Sequence, residues 1–329
     1  MKICLVTPAP PRSLTGNRVT ALRWARLLGQ LGHRVTVVEE YGGQACDALI
    51  ALHARKSARS VERAARERPG LPIIVALTGT DLYRDSRTCE ITQGSLGRAA
   101  ALVVLQPQAV RELPEAVRAR ARVIVQSAER VRAQKPRRDA FEVALLAHLR
   151  PVKDPFRAAM AARLLPAASR VRIVHAGAAL EPDFEPRARS EAASNPRYRW
   201  LGEMPHWRAR RVLARSRLAV ITSRSEGGAN VLSEAIAAGI PVVSSHIPGS
   251  TGVLGSDYPG LFSVGDTQGL AALLHRAETD RDFYGALGAW CRRLGPLVEP
   301  ARERRAWREL LRECARGAQR SARGARSAG

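Results

Sequence analysis

The chain has 329 residues, of which 45% are hydrophobic, and 53 Lys and Arg against 30 Asp and Glu give a formal net charge of +23. The length suits two domains of about 150 residues better than one, and the apolar content excludes wholesale disorder. The sequence contains no apolar run near the roughly 18–20 residues that cross a bilayer, and its first residues do not form a signal peptide.

Short apolar runs alternate with helix-like segments in the first half of the chain. A Pro- and Gly-rich loop follows the first run, and apolar residues then recur at helical spacing up to Gly32, a helix stop. Strands are predicted at residues 3–7, 34–38, 48–52, 73–77, 101–105 and 123–125, and further helices at 57–67, 88–99 and 108–119. This alternation predicts a mostly parallel sheet covered on both faces.

A polar, charged stretch at residues 129–139 is the predicted linker, and the alternation then resumes. Strands are predicted at 142–147, 172–176, 198–201, 218–222 and 241–244, and helices at 155–165, 205–215 and 229–238. We therefore predict an α/β protein with two Rossmann-like domains, 1–135 and 136–299, whose ligand binds between them at the strand ends. A closing helix at 300–316 and a basic disordered tail at 317–329 complete the prediction.

Residues 222–243 contain the most informative segment: a strand, a glycine turn, a helix, a glycine stop and a strand. Gly227 and Gly228 allow backbone N–H groups to approach an anion, and the helix start adds partial positive charge, so a diphosphate fits here. Glu226 precedes the helix and Glu234 lies two turns later, and their carboxylates can accept hydrogen bonds from sugar hydroxyls. The alternative, a plain glycine turn with a surface glutamate, explains each glutamate alone better than it explains the whole arrangement.

This Glu-x7-Glu segment resembles that of the family-4 retaining glycosyltransferases, which have the GT-B architecture. The resemblance implies that Glu226 contacts the sugar of a nucleotide-sugar donor and that Glu234 contacts the nucleotide ribose. It also implies that no metal or other cofactor is required. The implied donor-binding residues are Gly227, Gly228, Ala229, Asn230, Glu234 and Arg150.

A second family element is a Gly-Arg-Leu-x-x-x-Lys pattern, whose Arg and Lys neutralise the leaving diphosphate. Residues 147–153 occupy that place here, and Lys153 matches the family lysine. His148 stands where the family has arginine, and Arg150 is the candidate to compensate. By resemblance the catalytic residues are Glu226, Lys153 and His148.

The resemblance assigns acceptor binding to the amino-terminal half. A loop leads from the first strand to a helix start and can bring N–H donors, with Arg12 or Arg18, to an anion; a simple helix start is the equal alternative. Thr78 stands where many relatives have histidine. Its presence indicates a nucleophile that needs no side-chain general base.

Several local stretches resemble a narrower group, the selenosugar synthases of selenoneine biosynthesis. They include residues 16–25, 52–57, 148–155, 195–203 and 226–230. That resemblance implies a carbon–selenium bond formed from a UDP-sugar (UDP-N-acetylglucosamine or UDP-glucose) and selenophosphate, giving a 1-seleno sugar. The predicted acceptor-binding residues are Gly16, Asn17, Arg18, Arg12, His53, Thr78, Thr80 and Asp81.

Two alternatives use the same sequence differently. A hydroxyl acceptor on a lipid or polysaccharide is compatible with the donor motif, and the basic surface would then serve an anionic membrane. Nucleic-acid binding would use the +23 charge, but 49 of the 53 cations are Arg, which indicates a composition bias. We therefore predict small-molecule substrates, without nucleic acid or stable membrane association. Five scattered cysteines without a Cys-x-x-Cys pair favour a reduced, cytoplasmic protein.

Overall fold

The structure, a computed structural model, describes residues 1–131 and 134–327, with side chains up to residue 319. The chain divides into two compact units, Met1–Gln126 with Pro300–Gly329, and Ser127–Glu299. The division falls after Gln126, earlier than the predicted position after residue 135. Part of the predicted linker, residues 132 and 133, lies outside the described residues, as do residues 328 and 329.

The first unit contains one six-stranded sheet whose strand pairs are all parallel. Its strands, in the spatial order β2-β1-β3-β4-β5-β6, are β1 (Lys2–Val6), β2 (Arg34–Val38), β3 (Ala48–Leu52), β4 (Ile73–Ala76), β5 (Ala101–Val104) and β6 (Ala121–Val123). The helices between them are α1 (Gly16–Gln30), α2 (Ala58–Glu67), α3 (Thr80–Tyr83), α4 (Glu90–Arg98), α5 (Ala109–Glu112) and α6 (Glu115–Arg118). Apolar clusters cover both faces of this sheet, as parallel strands require.

Two predictions for this unit are corrected. The predicted helix at 108–119 is two short helices, α5 and α6, because Pro114 lacks an N–H and interrupts the helical ladder. The predicted strand at 123–125 is displaced, since β6 pairs with β5 only from Ala121 to Val123.

The second unit repeats the plan with another parallel six-stranded sheet. Its strands, in the spatial order β12-β11-β10-β7-β8-β9, are β7 (Phe141–Leu146), β8 (Val171–Ala176), β9 (Tyr198–Trp200), β10 (Leu218–Ile221), β11 (Val242–Ser245) and β12 (Leu261–Phe262). The helices are α7 (Arg157–Arg163), α8 (Phe184–Ser194), α9 (His206–Arg215), α10 (Asn230–Ala238), α11 (Pro248–Leu254), α12 (Thr267–Thr279) and α13 (Arg281–Arg293). Short 3-10 helices span Pro151–Lys153 and Gly295–Val298. The central strands β7 and β10 are neighbours, so their carboxyl ends share one edge.

The last helix, α14 (Pro300–Ser327), is longer than predicted. A disordered tail from residue 317 was expected, but the helix continues through that position because Ala and Arg are strong helix formers. Among the helices that the structure describes, none is both long and apolar enough to cross a membrane.

The α14 helix closes the core of the first unit through two tryptophans. Trp24 of α1 and Trp307 of α14 are both fully buried, and their ring centroids lie 4.7 Å apart. The indole Nε1–H of Trp24 donates to Glu303 Oε1 at 2.6 Å, and Arg23 Nε lies 3.3 Å from Glu303 Oε2. A buried carboxylate is stable here because both of its oxygens have partners.

We expect Glu303→Ala to lower the free energy of unfolding by about 3 kcal/mol, because it leaves the Trp24 N–H and the Arg23 cation without their buried acceptor. Urea unfolding monitored by tryptophan fluorescence would measure the change. Glu309→Ala is the matched control, since Glu309 is an exposed residue of the same helix. Equal losses in the free energy of unfolding of the two variants would contradict the stabilising role proposed for the buried Glu303 contacts.

Candidate functional site

Lys153 and Glu226, residues far apart in the sequence, meet at the carboxyl edge of the second sheet. Lys153 ends the 3-10 helix that follows β7, and Glu226 lies in the loop that follows β10. The Lys153 ammonium bonds directly to Glu226 Oε1. The two side chains are 24% and 12% exposed, so the pair lies partly shielded from water but open to a ligand. The fold thus brings together two of the three predicted catalytic residues.

Hydroxyl side chains hold this pair in place. Ser223 Oγ donates to the same oxygen of Glu226 at 2.7 Å, and Thr222 Oγ1 donates to the backbone carbonyl of Lys153 at 2.9 Å. Ser245, at the end of β11, donates from Oγ to the carbonyl of Ser223 at 2.6 Å. The segments after β7, β10 and β11 are therefore tied together around the Glu226 carboxylate.

The α11 helix passes close to the Glu226 backbone at Gly249. A Cβ atom at position 249 would lie 2.1 Å from the Glu226 carbonyl oxygen and 2.8 Å from its Cβ. Only glycine allows this approach without a backbone shift, so Gly249 sets the position of the Glu226 loop.

His148 lies in the loop after β7, five residues before Lys153. Its Nδ1 accepts a hydrogen bond from the Ala178 N–H at 3.1 Å, which joins the loops after β7 and β8. Gly177 makes the approach possible, since a Cβ there would lie 1.9 Å from the Ala147 carbonyl oxygen. Arg150 follows two residues later, immediately before the 3-10 helix that ends at Lys153.

His175 supports the His148 loop from inside the sheet. It is fully buried, and its Nε2 donates to the Ala147 carbonyl at 2.8 Å while its Nδ1 accepts from the Tyr198 hydroxyl at 2.8 Å. The carbonyl can only accept, so the proton is on Nε2. Burial lowers the pKa of His175 to about 4, which keeps the imidazole neutral at physiological pH.

Because His175 is buried in its neutral form, we expect the protein to lose stability in acid. The pKa of His175 is about 6.5 in the unfolded chain and about 4 when folded, so the unfolded state binds the extra proton. The contribution of neutral His175 to the free energy of unfolding is complete above pH 6.5. It is lost as the pH falls from 6.5 to 4, up to about 3 kcal/mol. We expect urea midpoints of His175→Gln to fall less steeply over this window than those of the wild type. Parallel pH profiles would contradict this assignment.

The predicted donor-binding residues lie at the start of α10. Gly227, Gly228 and Ala229 lead into the helix, which begins at Asn230. Glu234 follows one turn later with a side chain that is 10% exposed, and its Oε1 is 2.6 Å from Nε2 of His206, the first residue of α9. This part of the unit combines a glycine turn, a helix N-terminus and a carboxylate.

In the first unit, the structure joins His53 and Thr80. His53 follows β3 with a backbone φ of 69°, a left-handed conformation that costs a side-chain-bearing residue energy and concentrates at functional sites. Its Nε2 lies 3.2 Å from Thr80 Oγ1, and burial lowers its pKa. The carboxyl ends of the neighbouring strands β3 and β4 therefore carry one connected polar cluster.

The prediction for Asp81 is corrected. Its carboxylate is completely buried and accepts hydrogen bonds from the backbone N–H groups of Ala54, Thr78 and Gly79. It therefore shapes the loop around Thr78 and cannot contact an acceptor directly.

Other predicted acceptor residues lie along the segment after β1. Gly16, Asn17 and Arg18 form the first turn of α1, and Arg12 is exposed in the preceding loop. The strand order places β1 next to β3, so this segment and the His53 loop lie at adjacent strand ends.

Several residues of the site were not found from the sequence. Ser223 lies within residues 222–243, and its spacing of three residues from Glu226 is the sequence feature that could have indicated their hydrogen bond. His206 meets Glu234 and Gly249 meets Glu226 only through the fold, and His175 supports the His148 loop through the Ala147 carbonyl. Nothing in their local sequence indicates those contacts. The described part of the chain contains no group of three or more His, Cys, Asp or Glu side chains arranged to hold a metal ion.

Comparison with a family model adds an independent observation. Residues 127–289, nearly the whole second unit, match the family described as glycosyl transferases group 1. The search of curated proteins gave no match.

Solved structures resemble the chain along most of its length. Anabaena Alr3699/HepE in complex with UDP-glucose has a TM-score of 0.75 at 16% identity, over 95% of this chain and 100% of that one. Sucrose-phosphate synthase (tll1590) from Thermosynechococcus elongatus has a TM-score of 0.76 at 14% identity, over 95% and 98%. A variant of S. aureus TarM, in complex with UDP and other ligands, has a TM-score of 0.64 at 14% identity, over 80% and 55%. These likenesses confirm the predicted α/β fold of GT-B type.

Proposed function

We propose that the protein transfers a sugar from a UDP-sugar donor, since residues 127–289 match the family described as glycosyl transferases group 1. The observation that carries the proposal is the Lys153–Glu226 pair beside the glycine turn of α10. A cation, a carboxylate and a helix N-terminus at one sheet edge match the chemistry of a nucleotide sugar.

Each donor group has a chemical counterpart in the second unit. The diphosphate lies at the Gly227–Gly228 turn and the start of α10, where partial positive charge favours an anion. Glu226 accepts hydrogen bonds from the sugar, and Glu234 accepts them from the ribose. Arg150 and His148, on the loop after β7, are the proposed further contacts of the phosphates.

The Lys153–Glu226 ion pair joins the two residues that the proposal assigns to the donor. In the structure the ammonium and the carboxylate neutralise one another. When the donor binds, the ammonium turns to the diphosphate and the carboxylate turns to the sugar hydroxyls. Negative charge grows on the diphosphate as the bond to the anomeric carbon breaks, and Lys153 with the α10 N-terminus stabilises it.

For the acceptor we propose selenophosphate, on the strength of the sequence resemblance and of the polar cluster in the first unit. Selenophosphate is an anionic, soft nucleophile, so Thr78 in place of a basic histidine is compatible with it. His53 is almost buried, and burial lowers its pKa, which makes its imidazole a weaker base. Selenium bonds to the anomeric carbon and UDP leaves with the bonding electrons. Water then cleaves the phosphorus–selenium bond, which releases phosphate and the 1-seleno sugar.

Arg18 is the proposed contact for the acceptor phosphate. It lies in the first turn of α1, and its Nε is buried without a hydrogen-bond partner within the described residues. We expect Arg18→Ala to raise the KM for selenophosphate about tenfold with little change in the KM for the donor. Arg26→Ala, an exposed arginine on the same helix, is the matched control. An unchanged KM for selenophosphate in Arg18→Ala would remove Arg18 from the acceptor site.

The decisive experiment is an anaerobic reaction of the purified protein with UDP-N-acetylglucosamine or UDP-glucose, with and without selenophosphate. UDP release and product mass are measured in the same samples. Selenophosphate-dependent UDP release with a selenium isotope pattern on the sugar is the expected result. UDP release only with a hydroxyl acceptor would support the proposed sugar transfer and would show that selenophosphate is not the acceptor. Failure to bind any UDP-sugar would refute the donor assignment itself.

A further inference from the structure

Glu234 is a nearly buried carboxylate with a single side-chain partner in the part of the chain that the structure describes. That partner is His206, whose Nε2 lies 2.6 Å from Glu234 Oε1. The Glu234 side chain is 10% exposed, whereas the His206 side chain is 44% exposed. The contact therefore lies at the surface end of the carboxylate, where a ligand would approach.

The contact has a defined direction. An ionised carboxylate only accepts hydrogen bonds, so His206 donates from Nε2 to Oε1. A nearly buried carboxylate without a donor would be costly, and a hydrogen bond to a charged acceptor is stronger than a neutral one. Within the described residues, Oε2 makes no hydrogen bond and keeps its capacity to accept one.

The backbone around His206 fixes the position of this hydrogen-bond donor. His206 is the first residue of α9, and Pro205 precedes it with a φ of −56°. Gly202 forms a left-handed turn just before, with a φ of 70°. The α9 and α10 helices pack against each other, so the two partners are held from separate elements.

We infer that His206 is a positioning residue that aims the Glu234 carboxylate at the ribose diol of the donor nucleotide. This inference rests on the proposed function and extends it to the selection of ribonucleotides over deoxyribonucleotides. Oε1 is held by His206, and Oε2 accepts from a ribose hydroxyl. A carboxylate that is fixed in orientation binds a hydroxyl of this diol more tightly than a carboxylate that rotates, because less freedom is lost on binding.

A histidine that competes with the ribose for Glu234 would have the opposite effect on UDP binding. If His206 occupied the place of the ribose, UDP would have to displace it, and removal of the imidazole would strengthen UDP binding. The sign of the change in affinity therefore separates a positioning residue from a competitor.

The test compares the binding of UDP and 2′-deoxy-UDP by calorimetry to the wild type and to His206→Ala. We expect the wild type to prefer UDP about tenfold, and His206→Ala to lose most of that preference through weaker binding of UDP alone. His206→Gln, whose amide can donate to Oε1, should restore part of the preference. Arg208→Ala, an exposed α9 substitution, is the control and should keep it.

The coupling to Glu234 is tested with Glu234→Gln. This variant should lose the same preference, and adding His206→Ala to it should cause no further loss. Equal weakening of UDP and 2′-deoxy-UDP by His206→Ala would show a merely structural role and overturn the inference. Tighter UDP binding, or an unchanged preference, would overturn it as well. In all three cases the wild type still binds UDP, so the proposed function survives; a wild type that binds neither nucleotide would overturn both.

Discussion

Replacement of Lys153 by methionine is expected to lower kcat for sugar transfer by about a thousandfold. Methionine keeps an unbranched, apolar side chain one atom shorter and removes the charge that faces Glu226 and, when the donor is bound, the leaving diphosphate. The charge on the diphosphate is greatest in the transition state, so the loss falls mainly on kcat, with a smaller rise in the KM for the donor. Steady-state UDP release measures both.

Lys135→Met is the matched control for this substitution. Lys135 is exposed in the same unit, and the lysine-to-methionine change is identical. Lys153→Arg should retain part of the activity, because the cation remains while its shape changes. Wild-type kcat in Lys153→Met would remove Lys153 from the chemistry and would return the ion pair to a structural role.

The second large effect is expected at Gly249, which has no functional group. Gly249→Ala places a methyl group 2.1 Å from the Glu226 carbonyl oxygen, so the loop that carries Glu226 must move. We expect nearly complete loss of sugar transfer and a loss of about 2–4 kcal/mol in the free energy of unfolding. Activity assays and urea unfolding of the same preparation measure the two effects.

Gly285→Ala provides the comparison, because a Cβ atom at position 285 on α13 meets no atom within 4 Å. That variant should keep full activity and gain slightly in stability, as alanine favours the helix over glycine. A Gly249→Ala protein that folds and transfers sugar at the wild-type rate would show that the Glu226 loop tolerates displacement.

The sheets could be predicted from the sequence because buried parallel strands are continuous apolar runs. Five of the six strands of the second unit were predicted at nearly their observed positions, and the missed one, β12, has only two residues. The helices α8, α11, α12 and α13 were not predicted; α8, for instance, has one fully buried residue and thus little periodic signal. Pro114 explains the break between α5 and α6, and its missing N–H is visible in the sequence.

The site was predictable where its residues lie in one local pattern. Glu226, Glu234 and the glycine turn share a segment, and Lys153 matched a second one. Their partners do not: His206 reaches Glu234, and Gly249 reaches Glu226, only after separate elements have folded together. Asp81 was assigned to the acceptor because the sequence shows a carboxylate but not the three N–H groups that occupy it.

The return of α14 to the first unit has a consequence for the order in which the protein is made. Trp24, near the start of the chain, packs against Trp307 and donates to Glu303, so this part of the core of the first unit remains open while residues 127–299 are being synthesised. The second unit is continuous in sequence and can complete its core as soon as it leaves the ribosome. The unit that is translated first is therefore the one that finishes folding last.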